Sequence, residues 1–308
     1  MKSSLSIVWI TLVVICVTTM AYGEDANSTE TSFPSIKMGM DTYWGVSDMP
    51  EKHSFTDGMW AGSGPAYPSL TYFQWESAGG YTAKLSLGVG EMYTDSETTL
   101  HQPVEAYWQA PAGKAVITVG KFWVPFAQQE WLYEAKPGIM ARWAGARTSL
   151  TASANYNSNL HCPNVYIRGG YKVASDAELG LSYALGDGFC IDSIHERGIA
   201  LDTTIGYAGW RLYGEYNHFD THDSGNAFNY ISGKLYYEKL GAFTPFVGVF
   251  SWNDRSDTFG QFRSTVYGLN YQVSPTLAIE GGVSSTSAGD VSWLQLHWNW
   301  QRTISSHR

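Results

Sequence analysis

Charged residues are scarce in this chain, and basic residues are the scarcer of the two kinds. Only 15% of its 308 residues are charged, and 19 Lys and Arg stand against 28 Asp and Glu, which gives a formal net charge of −9 at pH 7. Proteins that bind nucleic acid neutralise phosphates with clustered Lys and Arg, and nothing in this chain supports such a surface. The composition therefore argues against a nucleic-acid-binding function.

Long apolar runs are almost absent. The one such run, Leu5 to Val17, follows Lys2 and precedes the small residues Ala21 and Gly23. A positive residue, a short apolar core and small residues near a cleavage point are typical of a signal peptide, so we predict export. The rest of the chain contains no apolar run long enough for a transmembrane helix.

Cysteine is also rare, since only Cys162 and Cys190 follow the signal peptide. No ligands at metal-site spacing accompany them, so we predict neither a metal site nor a cofactor. The two cysteines lie 13 residues before and 15 residues after a turn signal at Ser175, and a hairpin would bring them together. Because export allows oxidation, we predict a disulfide between Cys162 and Cys190; the alternative is two free thiols.

The dominant pattern in the sequence is an alternation of apolar and polar side chains. In the segment 103–126, Ala106 and Trp108 alternate with Glu105 and Tyr107, and a Pro-Ala-Gly turn and a second β-rich run follow. A period of two places successive side chains on opposite faces of a strand. The segment therefore predicts a β-hairpin with one apolar and one polar face.

The same hairpin signal recurs at an even spacing. Tight-turn signals lie 30 to 34 residues apart, centred near Gly79, Ala112, Gly145, Ser175, Ala208, Leu240 and Ser274. Two strands of ~10 residues with one short turn and one longer loop need that length, which is typical of outer-membrane β-barrels. We therefore predict an all-β fold: a transmembrane antiparallel β-barrel of about 16 strands with short periplasmic turns and longer extracellular loops.

Composition favours this barrel over a soluble β-sandwich or propeller, which would share the alternation. The chain contains 20 Tyr, 13 Trp and 32 Gly, yet its mean hydropathy is −0.20, as expected where lipid-facing and water-facing side chains average out. The predicted divisions are a signal peptide at 1–23, an N-terminal periplasmic tail at 24–35, the β-barrel at 36–300 and a C-terminal extension at 301–308.

Two segments leave alternatives open. Gln128 to Asn159 fits either two strands around Gly145 or one long loop folded into the interior, and the even turn spacing favours two strands. Phe243 to Trp252 carries apolar residues on both parities, so the alternation does not assign its faces.

Polar parity predicts which side chains line the interior. With Glu76 included, the inward charges are seven positive and seven negative, and so many charges in a dry core would carry very large desolvation costs. We therefore predict a water-filled channel, since 16 strands leave one and eight do not. The predicted pore-lining residues are Lys37, Asp41, Lys84, Glu105, Tyr107, Arg142, Arg168, Lys172, Glu178, Asp202, Arg211, Glu215, Lys234 and Glu280.

Most of the net negative charge falls in the predicted loops, for example at Asp57, Asp95, Asp187 and Asp257. An acidic mouth over a balanced interior raises the local cation concentration, so we predict a weak cation preference for the channel.

The segment 119–126, Val-Gly-Lys-Phe-Trp-Val-Pro-Phe, resembles the G-[KR]-F-x-x-P-F segment of bacterial outer-membrane porins, including phosphate-selective porins and putative β-barrel porins. As in those proteins, it ends a predicted strand and opens an extracellular loop. Ala127 stands where such porins commonly continue with Gly. The resemblance implies residence in the outer membrane of a Gram-negative cell, passive diffusion of small hydrophilic solutes or ions, and a homotrimer as one possible assembly.

Two other functions remain as alternatives. His222 and Ser224 resemble the His-x-Ser of outer-membrane lipid hydrolases, with Asn226 as a third group, but they lie in a predicted loop. A structural or adhesive barrel without a conducting pore would result if the loop 124–137, which contains Trp131 and Tyr133, plugs the interior. We predict that the protein is a channel and not an enzyme.

Overall fold

A computed structural model describes residues 34–49, 52–55, 69–88, 104–128, 135–157, 162–186, 197–220, 227–255, 260–287 and 289–305. In this part of the chain, no helix is both long and apolar enough to cross a membrane. The predicted signal peptide, Cys190 and the His222 and Ser224 pair lie outside the described residues, as do residues 129–134 of the predicted inward loop.

The described residues form 17 β-strands, and each pairs antiparallel with its neighbours. The strands are β1 Ser35–Met49, β2 Lys52–Phe55, β3 Leu70–Glu76, β4 Thr82–Gly88, β5 Glu105–Ala112, β6 Ala115–Trp123, β7 Ala135–Ala144, β8 Thr148–Asn157, β9 Cys162–Ala174, β10 Ala177–Leu185, β11 Arg197–Tyr207, β12 Trp210–Asp220, β13 Ala227–Tyr237, β14 Phe243–Asp254, β15 Gln261–Ser274, β16 Leu277–Thr286 and β17 Gly289–Ser305.

Pairing of the first strand with the last closes the sheet into a barrel. β1 pairs with β17 from Ser35↔Ser305 to Ser47↔Trp293, and its other edge pairs with β3. The short β2 adds to β1 at Gly45↔Phe55. The barrel wall is therefore β1 and β3–β17, which confirms the predicted 16-stranded antiparallel barrel. A closed sheet leaves no edge with unpaired backbone groups, as a lipid environment requires.

All seven predicted turns connect neighbouring strands, including the one between β7 and β8, where the alternative was a single long loop. The turn between β11 and β12 illustrates the local cause. Ala208 and Gly209 have φ of 51° and 93°, and two consecutive residues with positive φ form the type I′ turn that suits a two-residue hairpin. We call the end of the barrel with these seven turns the turn end and the opposite end the loop end.

Burial alternates along the strands and separates an outer from an inner face. In β10, Leu179 and Leu181 are 51% and 57% exposed, whereas Ser182 and Ala184 are 1% and 0% exposed. A single-layered sheet can bury side chains this fully only inside the closed barrel. The outer face therefore carries the apolar side chains, among them Ile139, Leu150, Ile167, Leu201, Ile231, Val249, Leu269 and Leu294.

Aromatic pairs ring the outer face close to the turns. Trp210 lies 4.7 Å from Tyr237, and Phe243 is stacked on Tyr271 at 4.7 Å between ring centroids. Tyr81 is likewise stacked on Trp108 at 5.8 Å. Amphipathic rings at this level are typical of the lipid–water interface of a membrane barrel.

The structure differs from the sequence expectation at the last strand. β17 continues past Trp300 to Ser305, because residues 301–305 pair with residues 35–39 of β1. The run QRTIS has weak alternation of its own, and its pairing with the start of the chain across more than 260 residues is not visible locally.

Candidate functional site

The barrel interior carries the candidate site, and its β4–β5 wall holds the first charged cluster. The Nζ of Lys84 lies 2.6 Å from Oε2 of Glu105, which also accepts a hydrogen bond of 3.1 Å from Ser86. The same ammonium lies 5.6 Å and 6.0 Å from the ring centroids of Tyr72 and Tyr107. A cation over aromatic faces and beside a carboxylate is held to the wall and does not reach across the lumen.

A second cluster joins β9, β10 and β11. Arg168 donates to Asp202 in a bidentate fork, with distances of 2.6 Å and 3.1 Å, and also lies 3.3 Å from Glu178. Asp202 reaches Arg168 by crossing β10 above Gly180, where an added Cβ would collide with the carboxylate. The missing side chain of Gly180 therefore allows this ion pair to form.

The chain after β6 turns into the barrel interior. Val124 and Phe126 are fully buried, and the Phe126 ring lies 5.5 Å from Phe219 of β12. Tyr166, Phe228 and Tyr230 belong to the same buried cluster. The segment 124–128 therefore leaves its own wall and packs against the wall formed by β9–β13.

Hydrogen bonds fix this segment in place. The backbone N–H of Ala127 donates to Oγ of Ser182 at 2.9 Å, and that of Gln128 donates to Oε2 of Glu215 at 3.0 Å. The Gln128 side-chain amide donates to the backbone oxygen of Thr203 and to the Thr204 hydroxyl. Four bonds to three strands anchor the start of the inward loop.

Ala127 adopts a φ of 48°, a left-handed conformation that costs a residue with a side chain about 1–2 kcal/mol. This is the position where the porins that the segment resembles commonly have glycine. The flanking hydrogen bonds of Ala127 and Gln128 hold the strained backbone in place.

Aromatic side chains fill the inner face of β12–β15. The structure resolves the unassigned faces of β14, because Phe246, Phe250 and Trp252 share the inward parity of the buried Gly248. The Phe246 ring lies against Gly268 of β15, where a Cβ would collide with it. The interior is therefore not uniformly charged, and one sector of its wall is aromatic.

The remaining predicted residues lie on the inner face in different surroundings. Lys37 is ion-paired with Glu76 at 2.7 Å, and Asp41 lies 2.6 Å from His297, whose ring is stacked on Tyr43. Arg142 and Lys172 are exposed, and Lys172 is opposite Glu178 in the β9–β10 register.

Two further predicted residues, Lys234 and Glu280, are 4% and 2% exposed. Arg211 pairs with Glu238 at 2.7 Å near the turn end.

Sequence reasoning missed several interior residues. Lys136 is buried and donates to the Tyr166 hydroxyl at 3.1 Å. It shares the inward parity of Arg142, but it lies at the start of β7, where the alternation is too short to be recognised. Gln128 and His297 were also missed. Gln128 anchors a loop and His297 pairs across the β1–β17 seam, and neither contact leaves a local pattern in the sequence. Among the described residues, no group of three His, Cys, Asp or Glu is placed to hold a metal ion.

The barrel resembles solved structures of outer-membrane proteins over most of the chain. The outer-membrane protein OmpT of Vibrio cholerae, in a trimer form, has a TM-score of 0.63 at 6% identity over 88% of this chain and 100% of its own. An anion-selective porin from Comamonas acidovorans has a TM-score of 0.62 at 11% identity over 89% and 100%. A mutant porin of Rhodopseudomonas blastica has a TM-score of 0.60 at 11% identity over 87% and 100%.

The fold is that of an outer-membrane porin. No family model and no curated protein matches the chain in sequence. At the identities above, the shared property is the porin fold.

Proposed function

We propose that the protein is an outer-membrane porin through which small hydrophilic solutes or ions diffuse passively. The observation that carries this proposal is the combination of an apolar outer face with an inner face that bears the ion pairs Lys84–Glu105 and Arg168–Asp202. The outer face suits lipid, and the inner charges suit contact with water. Diffusion makes and breaks no covalent bond, so the proposal assigns no catalytic residue.

The position of the inward segment supports a narrowed channel over a plugged one. Residues 124–128 are anchored to β10–β12 on one side of the barrel. Away from these strands, Arg142 of β7 is exposed, and Lys84 of β4 keeps 21% of its side-chain surface accessible. We infer that the open part of the lumen lies beside the segment, where Lys84 and Arg142 remain accessible.

The acidic composition of the chain supports the proposed weak cation preference. The formal net charge is −9, and in the second charged cluster one arginine faces two carboxylates. Field lines in a narrow channel concentrate counter-ions, so a modest excess of carboxylates favours cations. Replacement of Arg142 by Gln removes an exposed positive charge and is expected to increase the cation preference.

The reversal potential across a planar bilayer under a salt gradient measures this preference. Arg302→Gln is the matched control, because Arg302 is also exposed but lies on the outer face of β17. An unchanged reversal potential for Arg142→Gln would show that Arg142 does not face the ion path.

The apolar outer face and the aromatic pairs near the turns favour outer-membrane lipid as the surroundings, with the turns on the periplasmic side. We also propose a homotrimer, supported by the trimer form of the Vibrio cholerae neighbour. Chemical cross-linking of the refolded protein in detergent tests the assembly, and a single band at monomer mass at all cross-linker concentrations contradicts it.

Single-channel recording of the refolded protein tests the pore itself. Stable stepwise openings are expected. A folded, heat-modifiable barrel that gives no openings would overturn the proposal and favour a non-conducting barrel closed by its inward loop.

A further inference from the structure

Six aromatic side chains line one sector of the interior from the loop end to the turn end. The rings of Trp252 and Phe262 are stacked, with 4.1 Å between their centroids. The centroid distances are 5.8 Å between Tyr236 and Phe246 and 5.5 Å between Tyr213 and Tyr236. Phe250 packs against both buried apolar clusters, the one that contains Phe126 and the one that contains Phe246. We call Tyr213, Tyr236, Phe246, Phe250, Trp252 and Phe262 the aromatic strip.

The strip is continuous and partly accessible. Three members of the strip lie on the inner face of β14: Phe246, Phe250 and Trp252. They span roughly 20 Å at the rise of a β-strand. Tyr213, Phe250, Trp252 and Phe262 are each only half-buried, so their rings face the lumen in part. Phe246 and Tyr236 are 6% and 7% exposed, so a solute in the lumen meets mainly the other four rings.

The charged side chains of the same sector are buried or ion-paired. Lys234 is 4% exposed and its Nζ lies 5.3 Å from the Phe250 ring centroid. Glu280 is 2% exposed and accepts hydrogen bonds from Gln295 and Asn270. Glu215 is 4% exposed and accepts one from the Gln128 backbone. Near the turn end, Arg211 is neutralised by Glu238.

Neutral polar groups flank the rings. Asn270 of β15 and Ser284 of β16 are partly exposed on the inner face beside the strip. Aromatic faces bind flat apolar surfaces, while amides and hydroxyls bind hydroxyl groups. A pyranose ring presents both, since its C–H groups form a flat face and its hydroxyls form the edge.

We propose that the aromatic strip is a binding track for uncharged sugars, so that the pore favours saccharides among the hydrophilic solutes it passes. This proposal rests on the proposed pore function and adds its solute class. Sugars adsorb to the strip with their apolar faces on Trp252 and Phe250 and exchange hydrogen bonds with the neutral side chains alongside.

Ion-current recording with maltotriose as the probe tests the proposal. Maltotriose is expected to interrupt the current of open channels in a concentration-dependent way, whereas sorbitol, which has hydroxyls but no ring, is expected to interrupt it much less. Trp252→Ala is expected to weaken the maltotriose block by about tenfold, because it removes one stacking partner. Trp252→Phe keeps an aromatic face and is expected to retain most of the block.

The matched control is Trp143→Ala, which removes a tryptophan that is 38% exposed on the outer face and should leave the block unchanged. Open wild-type channels that maltotriose does not block, or blocks no better than sorbitol, would overturn the sugar track while leaving the pore intact. Equal block in wild type and Trp252→Ala would overturn it as well. If the folded protein gives no current, the pore proposal fails separately, and the absence of a maltotriose-dependent change in tryptophan fluorescence then also rejects the track.

Discussion

At the scale of single residues, Gly180 and Ala127 shape the geometry of the interior. Gly180 leaves room for the Asp202 carboxylate to reach Arg168 across an intervening strand. Ala127 occupies a left-handed backbone position at the point where the inward segment is anchored. Both effects depend on backbone space and conformation, so each can be tested by a single substitution.

Replacement of Gly180 by Val is expected to destabilise the barrel by about 1–3 kcal/mol, because the new side chain displaces Asp202 and leaves Arg168 without its bidentate partner. The temperature at which the folded band converts to the unfolded band on an SDS gel measures the loss. Gly169→Val is the control, since a Cβ at Gly169 of β9 meets nothing within 4 Å. Equal effects of the two substitutions would show that the Arg168–Asp202 pair contributes little.

Replacement of Ala127 by Gly is expected to raise stability by up to about 1 kcal/mol, because glycine adopts the left-handed conformation without the steric cost of a Cβ. The same gel assay measures the gain. Ala184→Gly provides the contrast: Ala184 is fully buried within β10, and the same change there should be destabilising. A loss of stability for Ala127→Gly would mean that the alanine methyl group packs usefully in its buried site.

At the scale of elements, the inward segment and strand β14 give the interior its asymmetry. The segment 124–128 is held on the β10–β12 side by four hydrogen bonds and the Phe126–Phe219 contact. β14 lines the same half of the barrel with aromatic rings. The two elements place apolar bulk along β9–β14, and the charged wall of β4 and β5 lies on the other side of the barrel.

Loss of the anchor should be visible in the current. Gln128→Ala removes both side-chain hydrogen bonds to β11 and is expected to increase open-channel noise and conductance, since the segment then moves within the lumen. Gln109→Ala is the matched control, because the described side-chain hydrogen bond of Gln109 joins two neighbouring wall strands, from β5 to Thr118 of β6. Identical current traces for the two variants would contradict an anchoring role for Gln128.

Register and face also show where sequence reasoning reached its limit at this scale. The turn spacing correctly predicted β7 and β8 because each hairpin needs nearly the same length of chain. Alternation did not assign β14, since Phe246 and Val247 are both apolar and differ only in that one faces the interior and the other lipid. Lys136 was missed for a similar reason, because strand ends carry too few residues to show a period.

At the scale of the whole molecule, closure between β1 and β17 makes the sheet a barrel. Thirteen register pairs join the two strands, and five of them involve residues 301–305. These five residues were expected to extend beyond the barrel, but they complete its seam. The last strand is therefore as much a part of the wall as the first.

Truncation after Trp300 is expected to prevent stable closure, since residues 35–39 of β1 lose their partners on that edge and expose unpaired backbone groups. The fraction of refolded protein that runs as a compact band on an unheated SDS gel measures closure. Truncation after Ser305 removes three residues beyond the strand and should refold like the full chain. Equal refolding of both truncations would show that residues 301–305 are dispensable.

The sequence alone determined the class of fold, because period-two alternation and evenly spaced turns follow from strand geometry and are local properties. It also determined most of the inner and outer faces, since one parity meets lipid and the other does not. The tertiary structure alone decided which interior residues meet. The Arg168–Asp202 pair and the aromatic strip depend on the register of successive strands, and the Asp41–His297 pair depends on closure between β1 and β17. The anchored segment depends on the path of the chain after β6, and none of these contacts leaves a local pattern in the sequence.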